Sequence, residues 1–508
     1  MRQKLRQPTA DDITSLAAAD GIVLDAGEAD ELLPVVASLV GSADLAITLP
    51  EATQVLARNR RDPGYAPSVD ENPFNSFIRK CHVRESDSGP LAGKTIGLKD
   101  NISLAGVPTT NGSHMTPWMP STDAVVVERI LRAGGTIVGK LNMDDFGASG
   151  LGETSAFGPP RNPIDPTRSA GGSSGGSGAA VRAGEVDMAL GVDQGGSGRI
   201  PAAFCGIVSM KGTLGLIPTF GVTHVDHTID FVTPMARSVE GVAKLLEVVA
   251  GEDSRDPQWV RGDIRVAKYG RAAADGVNGL RVGVVVESRL PEICEEAVLT
   301  GLSNAAKALT DKGAIVSEIS IPLWRHALSI FLPYMAHLQS NMLRTEGIGN
   351  GHLGTIEIDT MLALAKGRRQ ESGRLAKQVK AWLMAERYLH ETYLNEPYAR
   401  LHNLRLSVTS QIDQALDQYD LLLTPTLPIT APPLSKPGTS FAEISAGTAD
   451  RLCYNTTPLN LSGHPGLTLP SGSNAQGLPT AVQVIGRKFD EYTVFRAGFQ
   501  IEQSLGLT

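Results

Sequence analysis

Two serines in glycine-rich surroundings are the residues of this sequence whose type and spacing best suit chemistry. Ser173 lies in GGSSGG and Ser197 in DQGGSGR, and residues 169–203 contain both. Glycine at this density costs chain entropy, which favours a backbone that must approach another group closely. Consecutive backbone N–H groups beside a serine hydroxyl can stabilise the oxyanion formed when the serine attacks a carbonyl carbon. The apolar segment 188–192 between the two clusters is not typical of a flexible Gly/Ser linker.

Ser197 has the better context for a nucleophile. It follows the apolar segment 188–192 and the residues Asp193-Gln194-Gly195-Gly196, so a strand is predicted to open into a glycine loop around it. Ser173 by itself matches the GxSxG nucleophile elbow, which requires a buried strand directly before the serine. Residues 162–168, NPIDPTR, cannot form that strand, so the elbow interpretation fails.

The candidate base is a lysine, since no histidine lies in a convincing motif. Lys99 ends the apolar strand predicted at residues 95–98. A lysine accepts a proton only when neutral, and its reference pKa near 10.4 would have to fall by about 3 units through burial. The alternative interpretation of Lys99 is an ion pair with Asp100 at the end of the strand.

Composition excludes several classes of protein. A net charge of −8 without a basic block argues against nucleic acid or an anionic membrane as the main partner. No apolar run approaches the roughly 18 residues of a membrane span, and the basic start MRQKLRQPTADD lacks the apolar stretch of a secretory signal. The four cysteines form no CxxC pair, which fits reduced thiols in a cytoplasmic protein: Cys81, Cys205, Cys294 and Cys453.

The chain changes texture several times. Residues 8–58 are predicted to be helical, with Thr9 and Asp12 as an N-cap pair and a second helix near 32–40, and the Pro- and Gly-rich segment 59–73 is predicted to be a linker. From residue 91 a β-α-β order predicts a mixed or parallel sheet covered by helices. Residues 323–400 are predicted to be mostly helical, and the chain returns to short strands at 460–486.

Three motifs together resemble the amidase signature family. They are TIGLKDNI around Lys99, GGSSGGSGAAV around Ser173 and DQGGSGRIPAAFCG around Ser197, and their spacing agrees with the family as well. LLLTPTLP from Leu421 and NLSGHPGLTLPSGSNAQGLPTAVQVIG from Asn460 extend the resemblance over roughly residues 75–505. Within the family, the sequence is most similar to bacterial amidases with an extra helical N-terminal domain.

The resemblance implies an α/β protein with the amidase signature fold, in which a central mixed β-sheet is covered by helices on both faces. The expected domains are a helical N-terminal domain and linker at 1–75, the core at 76–322 and 405–508, and a helical small domain at 323–404 that determines substrate specificity. Its plausible pocket or gate residues are equally plausible as core: Trp324, His326, Phe331, Tyr334 and His337. The loops at 146–152 and 453–455 are further candidates for specificity.

The mechanism implied by the resemblance is a Ser-cisSer-Lys triad. Ser197 attacks the amide carbonyl and forms an acyl-enzyme, Ser173 bridges after a cis peptide, and Lys99 takes up a proton and returns it to the leaving nitrogen. The backbone N–H groups of the oxyanion hole are implied to be those of Gln194, Gly195 and Gly196, with that of Ser197. No metal or organic cofactor is implied, and His224, Asp226 and His227 are expected to be structural.

Two residues differ from the family pattern, and two others are expected to support the site. Gly198 stands where isoleucine is usual, which is expected to widen the site or loosen the following helix. Gly212 stands where proline is common in a Gly-x-Lys-Pro pattern, which removes a rigid turn. Asp193 and Arg199 are expected to form a buried pair that supports the site.

The expected function is hydrolysis of small aliphatic or aromatic carboxamides to carboxylate and ammonia. The expected partner is a small-molecule amide, without nucleic acid or membrane, in a homodimer. Two alternatives stay open. One is an aryl-acylamide or carbamate hydrolase with the same triad. The other is the glutaminase subunit of a tRNA-dependent amidotransferase, which the NMDDF and TSAFGPPRNP stretches resemble and which the extra segment 8–58 disfavours.

Overall fold

The chain divides into two units, Met1–Val55 and Leu56–Thr508. The computed structural model describes residues 4–49, 61–256, 258, 264–349 and 354–506, with the backbone alone at 446–450. The catalytic candidates all lie in the second unit. The predicted division at residues 75, 322 and 404 stays a prediction.

One mixed sheet runs through the second unit. Among the described residues it has eleven strands: β1 Phe77–Val83, β2 Thr95–Lys99, β3 Thr136–Leu141, β4 Met188–Asp193, β5 Val208–Lys211, β6 Phe231–Ala236, β7 Arg281–Val285, β8 Ile315–Ile319, β9 Leu421–Pro425, β10 Gly466–Ser473 and β11 Pro479–Ile485. Their order is β1-β3-β2-β4-β6-β5-β10-β11-β9-β7-β8. The predicted mixed sheet is confirmed.

The parallel pairs of this sheet form two groups, one towards each end. β2 is parallel to both β3 and β4, and β7 is parallel to both β8 and β9. The strands between these groups pair antiparallel, for example β4 with β6 and β10 with β11. Strands β4, β5, β6 and β9 are buried along their whole length, as is typical of strands covered on both faces.

Helices cover the sheet. In the described part of the chain they are α1 Ala10–Ala19, α2 Glu28–Ala46, α3 Val125–Arg132, α4 Gly175–Ala183, α5 Arg199–Cys205, α6 Val239–Val249, α7 Ala272–Asp275, α8 Glu296–Asp311, α9 Ala327–Arg344, α10 Ile358–Glu371, α11 Lys377–Tyr393, α12 Glu396–Gln418, α13 Phe441–Leu452, α14 Thr457–Ser462 and α15 Glu491–Leu505. The apolar face of α3, as the sequence predicts, is buried in the main core. No helix of the described residues is long and apolar enough to cross a membrane.

The first unit is a helical pair. Thr9 caps α1 and Asp12 completes the predicted capping box, with the Asp12 N–H donating to Thr9 Oγ1 at 3.2 Å. The second helix is longer than the predicted 32–40, since it begins after Gly27 and has three acidic residues in its first turn, where the helix dipole favours them. The predicted helical stretch beyond residue 49 lies outside the described residues.

The predicted linker is tied to the second unit from residue 61 onward. Arg61 Nη1 lies 2.6 Å from Asp123 Oδ1, and the Tyr65 N–H donates to the carbonyl of Lys80 at 2.9 Å. Residues 59 and 60 lie outside the described residues. This part of the segment therefore has fixed contacts with the sheet, which its Pro- and Gly-rich composition does not indicate.

The helical region predicted from residue 323 consists of α9 to α12. Helix α12 continues through the boundary predicted between residues 404 and 405. Its side chains Val408, Ile412 and Leu416 form a buried apolar stripe, whereas Leu404, one turn earlier on the same face, is exposed. Trp324 and Tyr334 are core residues, and Trp324 Nε1 donates to Asn455 Oδ1 at 2.9 Å.

Candidate active site

Lys99 is the last residue of β2, and its side chain is fully buried. Because β2 lies between β3 and β4, neighbouring strands enclose the lysine on both sides. Its Nζ lies 2.7 Å from Ser173 Oγ and 3.2 Å from the carbonyl oxygen of Val192. The fold thus brings the predicted base into direct hydrogen-bond contact with the predicted bridging serine.

The environment of Lys99 favours its neutral form. Burial lowers the pKa of Lys99 to about 7, while three nearby carboxylates, those of Asp144, Asp193 and Asp230, act in the opposite direction. Near neutral pH a large fraction of the molecules therefore carries an amine that can accept a proton.

The alternative ion pair between Lys99 and Asp100 is not found. Asp100 instead lies 3.2 Å from Lys140 Nζ, and both side chains are fully buried. Lys140 is on the neighbouring strand β3, and its Nζ also donates to the carbonyl of Ile102 at 2.7 Å. Lys140 thus makes an ion pair and a hydrogen bond within the core, whereas Lys99 contacts Ser173.

Ser173 precedes α4, and the peptide bond between Gly172 and Ser173 is cis, the geometry that the resemblance implied. The Ser173 carbonyl accepts a hydrogen bond from the N–H of Asp144 at 3.2 Å. The Asp144 carboxylate in turn accepts from the N–H groups of Gly152 at 3.0 Å and Thr154 at 2.9 Å. Asp144 therefore joins the bridging serine to the loop that follows residue 147.

Ser197 lies in the loop between β4 and α5. The loop is folded around the carboxylate of Asp193, which accepts the N–H of Gly196 at 2.8 Å and that of Gly198 at 3.1 Å. The Ser197 carbonyl accepts the N–H of Ser174 at 3.1 Å, so the two serine-bearing segments touch. The predicted arrangement of a strand that opens into a glycine loop is what the structure contains.

The glycine loop offers backbone donors beside the serine, although not the full predicted set. The Gly196 N–H is engaged by Asp193 Oδ1, because the loop closes on that carboxylate. Within the described part of the chain, the N–H groups of Gln194, Gly195 and Ser197 donate to no other residue. These three groups are available for a developing oxyanion.

Asp193 and Arg199 form the buried pair that the sequence predicts. Arg199 Nε lies 3.0 Å from Asp193 Oδ2, and the guanidinium also donates to Asn460 at 2.6 Å and to Gln483 at 3.1 Å. Burial alone would raise the pKa of Asp193, but the charge and hydrogen bonds of Arg199 hold it well below its usual range. The pair fixes the loop and does not line the cavity described below.

The glycine at position 198 does not widen the site, in contrast to the prediction. A Cβ on Gly198 would overlap Thr233 Oγ1 and lie 2.8 Å from Thr233 Cβ, on the neighbouring strand β6. The space of a side chain here is filled by Thr233, so the pocket is not enlarged. At Gly212 a Cβ would meet only the flexible Leu216 side chain, at 3.2 Å.

A cavity of about 470 Å³ opens beside Ser197. Residues of the loop at 147–151, of α9 and of α11 line it, as the sequence predicts, together with Cys453. Its lining is mainly apolar, and the charged members are Glu153 and Lys377. Phe331 is the one of the five plausible pocket residues that lines this cavity, and a Cβ on Gly195 would lie 2.6 Å from its ring.

The segment at the beginning of α13 also lines the cavity, which the sequence does not predict. Thr439 just before α13, and Phe441 and Ile444 in its first turn, line the cavity. Ser440 and Glu443 form a capping box, which is a local signal for the beginning of this helix. That signal predicts a helix but not its position beside Ser197.

The two histidines that follow β5 lie in contact with each other. His224 and His227 pack edge to face with ring centroids 4.8 Å apart, and His224 Nδ1 lies 3.5 Å from Asp230. The residues that the structure describes contain no cluster of three or more potential metal ligands. The contacts of these two rings are those of structural histidines.

The chain is similar to proteins of known family. The Amidase family model matches residues 78–495. The A subunit of glutamyl-tRNA(Gln) amidotransferase from Haloarcula marismortui is 39% identical, over 84% of this chain and 98% of its own length. The corresponding subunit of Exiguobacterium sibiricum is 36% identical, over 86% of this chain and 89% of its own length.

Solved structures agree with this assignment. The A subunit of glutamyl-tRNA(Gln) amidotransferase from Thermotoga maritima superposes with a TM-score of 0.69 at 32% identity, covering 85% of this chain and 88% of its own. 6-Aminohexanoate cyclic dimer hydrolase superposes with a TM-score of 0.70 at 25% identity, covering 82% and 86%.

These similarities correct two expectations. The predicted main function, hydrolysis of small aliphatic or aromatic carboxamides, is wrong, because relatives that match over nearly their whole length are named as subunits of an amidotransferase for glutamyl-tRNA(Gln). The predicted homodimer without nucleic acid is wrong for the same reason. Composition misled here, since a net negative chain can still belong to a complex whose other subunits bind RNA.

The match to the family model covers most of the chain, and its boundaries enclose Lys99, Ser173 and Ser197. The chain belongs to the Amidase family, the amidase signature enzymes, which act on C–N amide bonds.

Proposed function

We propose that this chain is the glutaminase subunit of a tRNA-dependent amidotransferase. The observation that carries the proposal is the contact of Lys99 Nζ with Ser173 Oγ at 2.7 Å, in a chain that is 39% identical to an amidotransferase subunit across 98% of that relative. The proposed substrate is the side-chain amide of glutamine, and the proposed partners are the subunits that use the ammonia on a glutamyl-tRNA. The site of action would be the cytoplasm, where the four free cysteines stay reduced.

The proposed mechanism uses the buried lysine as the base. Ser197 Oγ attacks the amide carbon while its proton passes to Ser173 and the Ser173 proton passes to neutral Lys99. The free N–H groups of Gln194, Gly195 and Ser197 would stabilise the oxyanion. Ser173 then gives one proton to the nitrogen and recovers one from Lys99, the C–N bond breaks, and ammonia leaves an acyl-enzyme on Ser197.

The second half of the proposed reaction repeats this path with water. A water molecule gives a proton to Ser173, attacks the acyl carbon and releases glutamate, and Ser197 recovers its proton. Lys99 ends the cycle neutral, which its fully buried position favours. Each step therefore needs only the three side chains and the backbone donors of the glycine loop.

The test is ammonia release from glutamine by the full chain, alone and after co-expression with its co-purifying partner subunits. Ser197→Ala, Ser173→Ala and Lys99→Ala are expected to lower kcat by at least about 1,000-fold. Ser177→Ala removes another buried serine, on α4, and Lys94→Ala removes the lysine before β2, so these variants serve as matched controls with near wild-type rates. Undiminished activity of Ser197→Ala would refute the mechanism. Absence of glutamine turnover in every preparation, with turnover of another amide, would refute the function.

A further inference from the structure

The side chain of Gln194 has a fixed orientation. Its Nε2 donates to Asp230 Oδ1 at 2.8 Å, and Asp230 Oδ2 accepts the N–H groups of Val225 and Asp226, each at 2.8 Å. An ionised carboxylate only accepts hydrogen bonds, so the NH₂ group of the amide must face Asp230. The amide oxygen Oε1 therefore points to the other side.

On that other side lies the bridging serine. A Cβ on Gly147 would be 3.4 Å from Ser173 Oγ and 3.8 Å from Gln194 Oε1, so one short gap at Gly147 lies next to both oxygens. Gln194 is buried, and its Oε1 has no hydrogen-bond partner among the described residues. A buried acceptor without a partner is costly, which makes a ligand with an N–H or O–H group its natural occupant.

A small chamber lined by both polar and apolar side chains lies next to this gap. Gly147 and Gln194 line both the large cavity and the chamber, which has a volume of about 10 Å³. Asn101 and Asn111 also line it, and Asn101 Oδ1 and both polar atoms of the Asn111 side chain have no partner in the described part of the chain. This volume is about the room that one molecule of the size of water or ammonia needs.

We infer that Gln194 Oε1 and the chamber behind it form the leaving-group pocket, which accepts ammonia and selects primary amides. The inference rests on the proposed function. When the C–N bond breaks, the nitrogen takes its proton from the Ser173 hydroxyl, which recovers one from Lys99, and ammonia donates an N–H to Gln194 Oε1. An N-alkyl group on the nitrogen has no space in the chamber.

The first test compares glutamine with its N5-methyl derivative on the full chain. Forcing one extra methyl group into a packed site typically costs enough to lower kcat/KM by about 10- to 100-fold. Asn111→Gly enlarges the chamber, and its backbone φ of 55° is one that glycine tolerates. We expect this variant to lower the ratio of kcat/KM for glutamine to kcat/KM for the N5-methyl derivative by at least about five-fold. Asn75→Gly, at a φ of 51° and outside the chamber, is the matched control and should keep the wild-type ratio.

The second test removes the acceptor itself. Gln194→Met keeps the length of the side chain but has no amide oxygen. It should lower kcat/KM for glutamine about ten-fold more than for the γ-methyl ester, whose leaving oxygen carries no hydrogen until Ser173 protonates it. Both quantities are ratios within one preparation, so a partly folded variant does not change them. Equal loss for amide and ester, or an unchanged methyl discrimination in Asn111→Gly, would overturn the inference.

These outcomes are separable from failure of the proposed function. If glutamine is not hydrolysed while another primary amide is, the same two ratios are measured with that amide, its N-methyl derivative and its methyl ester. Preference for the primary amide then supports the leaving-group pocket although the glutaminase proposal has failed. Equal rates for the primary and N-methyl amides overturn the pocket even if glutamine is the substrate.

Discussion

Lys99 combines two properties that rarely occur together in a lysine, full burial and contact with a hydroxyl group. Among the residues that the structure describes, no carboxylate lies within ion-pair distance of it, since Asp100 is paired with Lys140. Burial therefore determines its protonation, and this is why a lysine can take the role that a histidine has in other serine hydrolases.

The pH dependence of catalysis should report this lysine. With a pKa of about 7, Lys99 is protonated and inactive as a base in acid, and it is neutral and active above neutrality. We expect kcat/KM to rise about ten-fold per pH unit below about pH 7 and to level off above it. Lys94→Ala should leave this profile unchanged, and a flat profile from about pH 5.5 to 8.5 would contradict the assignment of Lys99 as base.

Gly198 is a position where one methyl group should be harmful. Gly198→Ala places a Cβ against Thr233 Oγ1 and 2.8 Å from Thr233 Cβ, on the fully buried strand β6. We expect a loss of about 1–3 kcal/mol in the free energy of unfolding, measured by urea denaturation. Gly212→Ala is the control at the other departure from the family pattern, where only a leucine methyl must move, and its loss should stay below about 0.5 kcal/mol. Equal losses of unfolding free energy in the two variants would contradict the prediction, because they would mean that the Thr233 side chain can move away from the added methyl group.

At the scale of elements, one buried network holds the catalytic loop. Asp193 ends β4, Arg199 begins α5, and Asn460 lies in α14, which links segments that are far apart in sequence. The glycine loop itself has few side chains to pack. Its shape therefore depends on the carboxylate of Asp193, which accepts three of its backbone N–H groups.

Asp193→Asn should therefore be strongly destabilising. It leaves the buried Arg199 charge without its anion, which typically costs about 3–5 kcal/mol. The free energy of unfolding from urea titration is the measurement, with Asp187→Asn before the same strand as a partly exposed control that should lose under about 1 kcal/mol. A loss as small as that of the control would show that the amide replaces the carboxylate in holding the loop.

The strands next to the family motifs around Lys99 and Ser197 can be predicted from local sequence pattern. β2 and β4 are short apolar segments, and the sequence predicts their positions to within one residue of their observed ends. The strand order is beyond such reasoning, because pairs such as β5 with β10 join residues more than 250 positions apart. The three triad candidates carry family motifs, whereas Asp230 and Phe331 reach the site only through the fold.

At the scale of the whole molecule, the candidate active site lies in the second unit. Lys99, Ser173, Ser197 and the cavity lie within Leu56–Thr508, and the family match begins at residue 78. The first unit presents apolar side chains on α2, where Val35, Leu39 and Leu45 are each at least 60% exposed. The described hydrogen bonds of Lys99, Ser173 and Ser197 all join residues of the second unit.

A chain that lacks residues 1–55 should accordingly keep its chemistry. We expect its kcat/KM for the same amide to stay within about two-fold of the full chain, since the described contacts of Lys99, Ser173 and Ser197 lie within the second unit. Its far-ultraviolet circular dichroism should lose only the helical signal of α1 and α2. The comparison uses ammonia release at matched active-site concentration. A loss beyond about ten-fold, with the remaining fold intact, would assign the first unit a role in the active site.

The contact between Phe331 and Gly195 has a consequence for how new specificities could arise. The aromatic ring that shapes the substrate cavity also fills the space above a residue of the catalytic loop, so it serves recognition and rate together. Diversity at Trp382 or Phe441, which line the same cavity from α11 and α13, can alter substrate choice while Phe331 stays next to Gly195. Evolution of this enzyme, natural or in a laboratory library, is therefore freer along α11 and α13 than along α9.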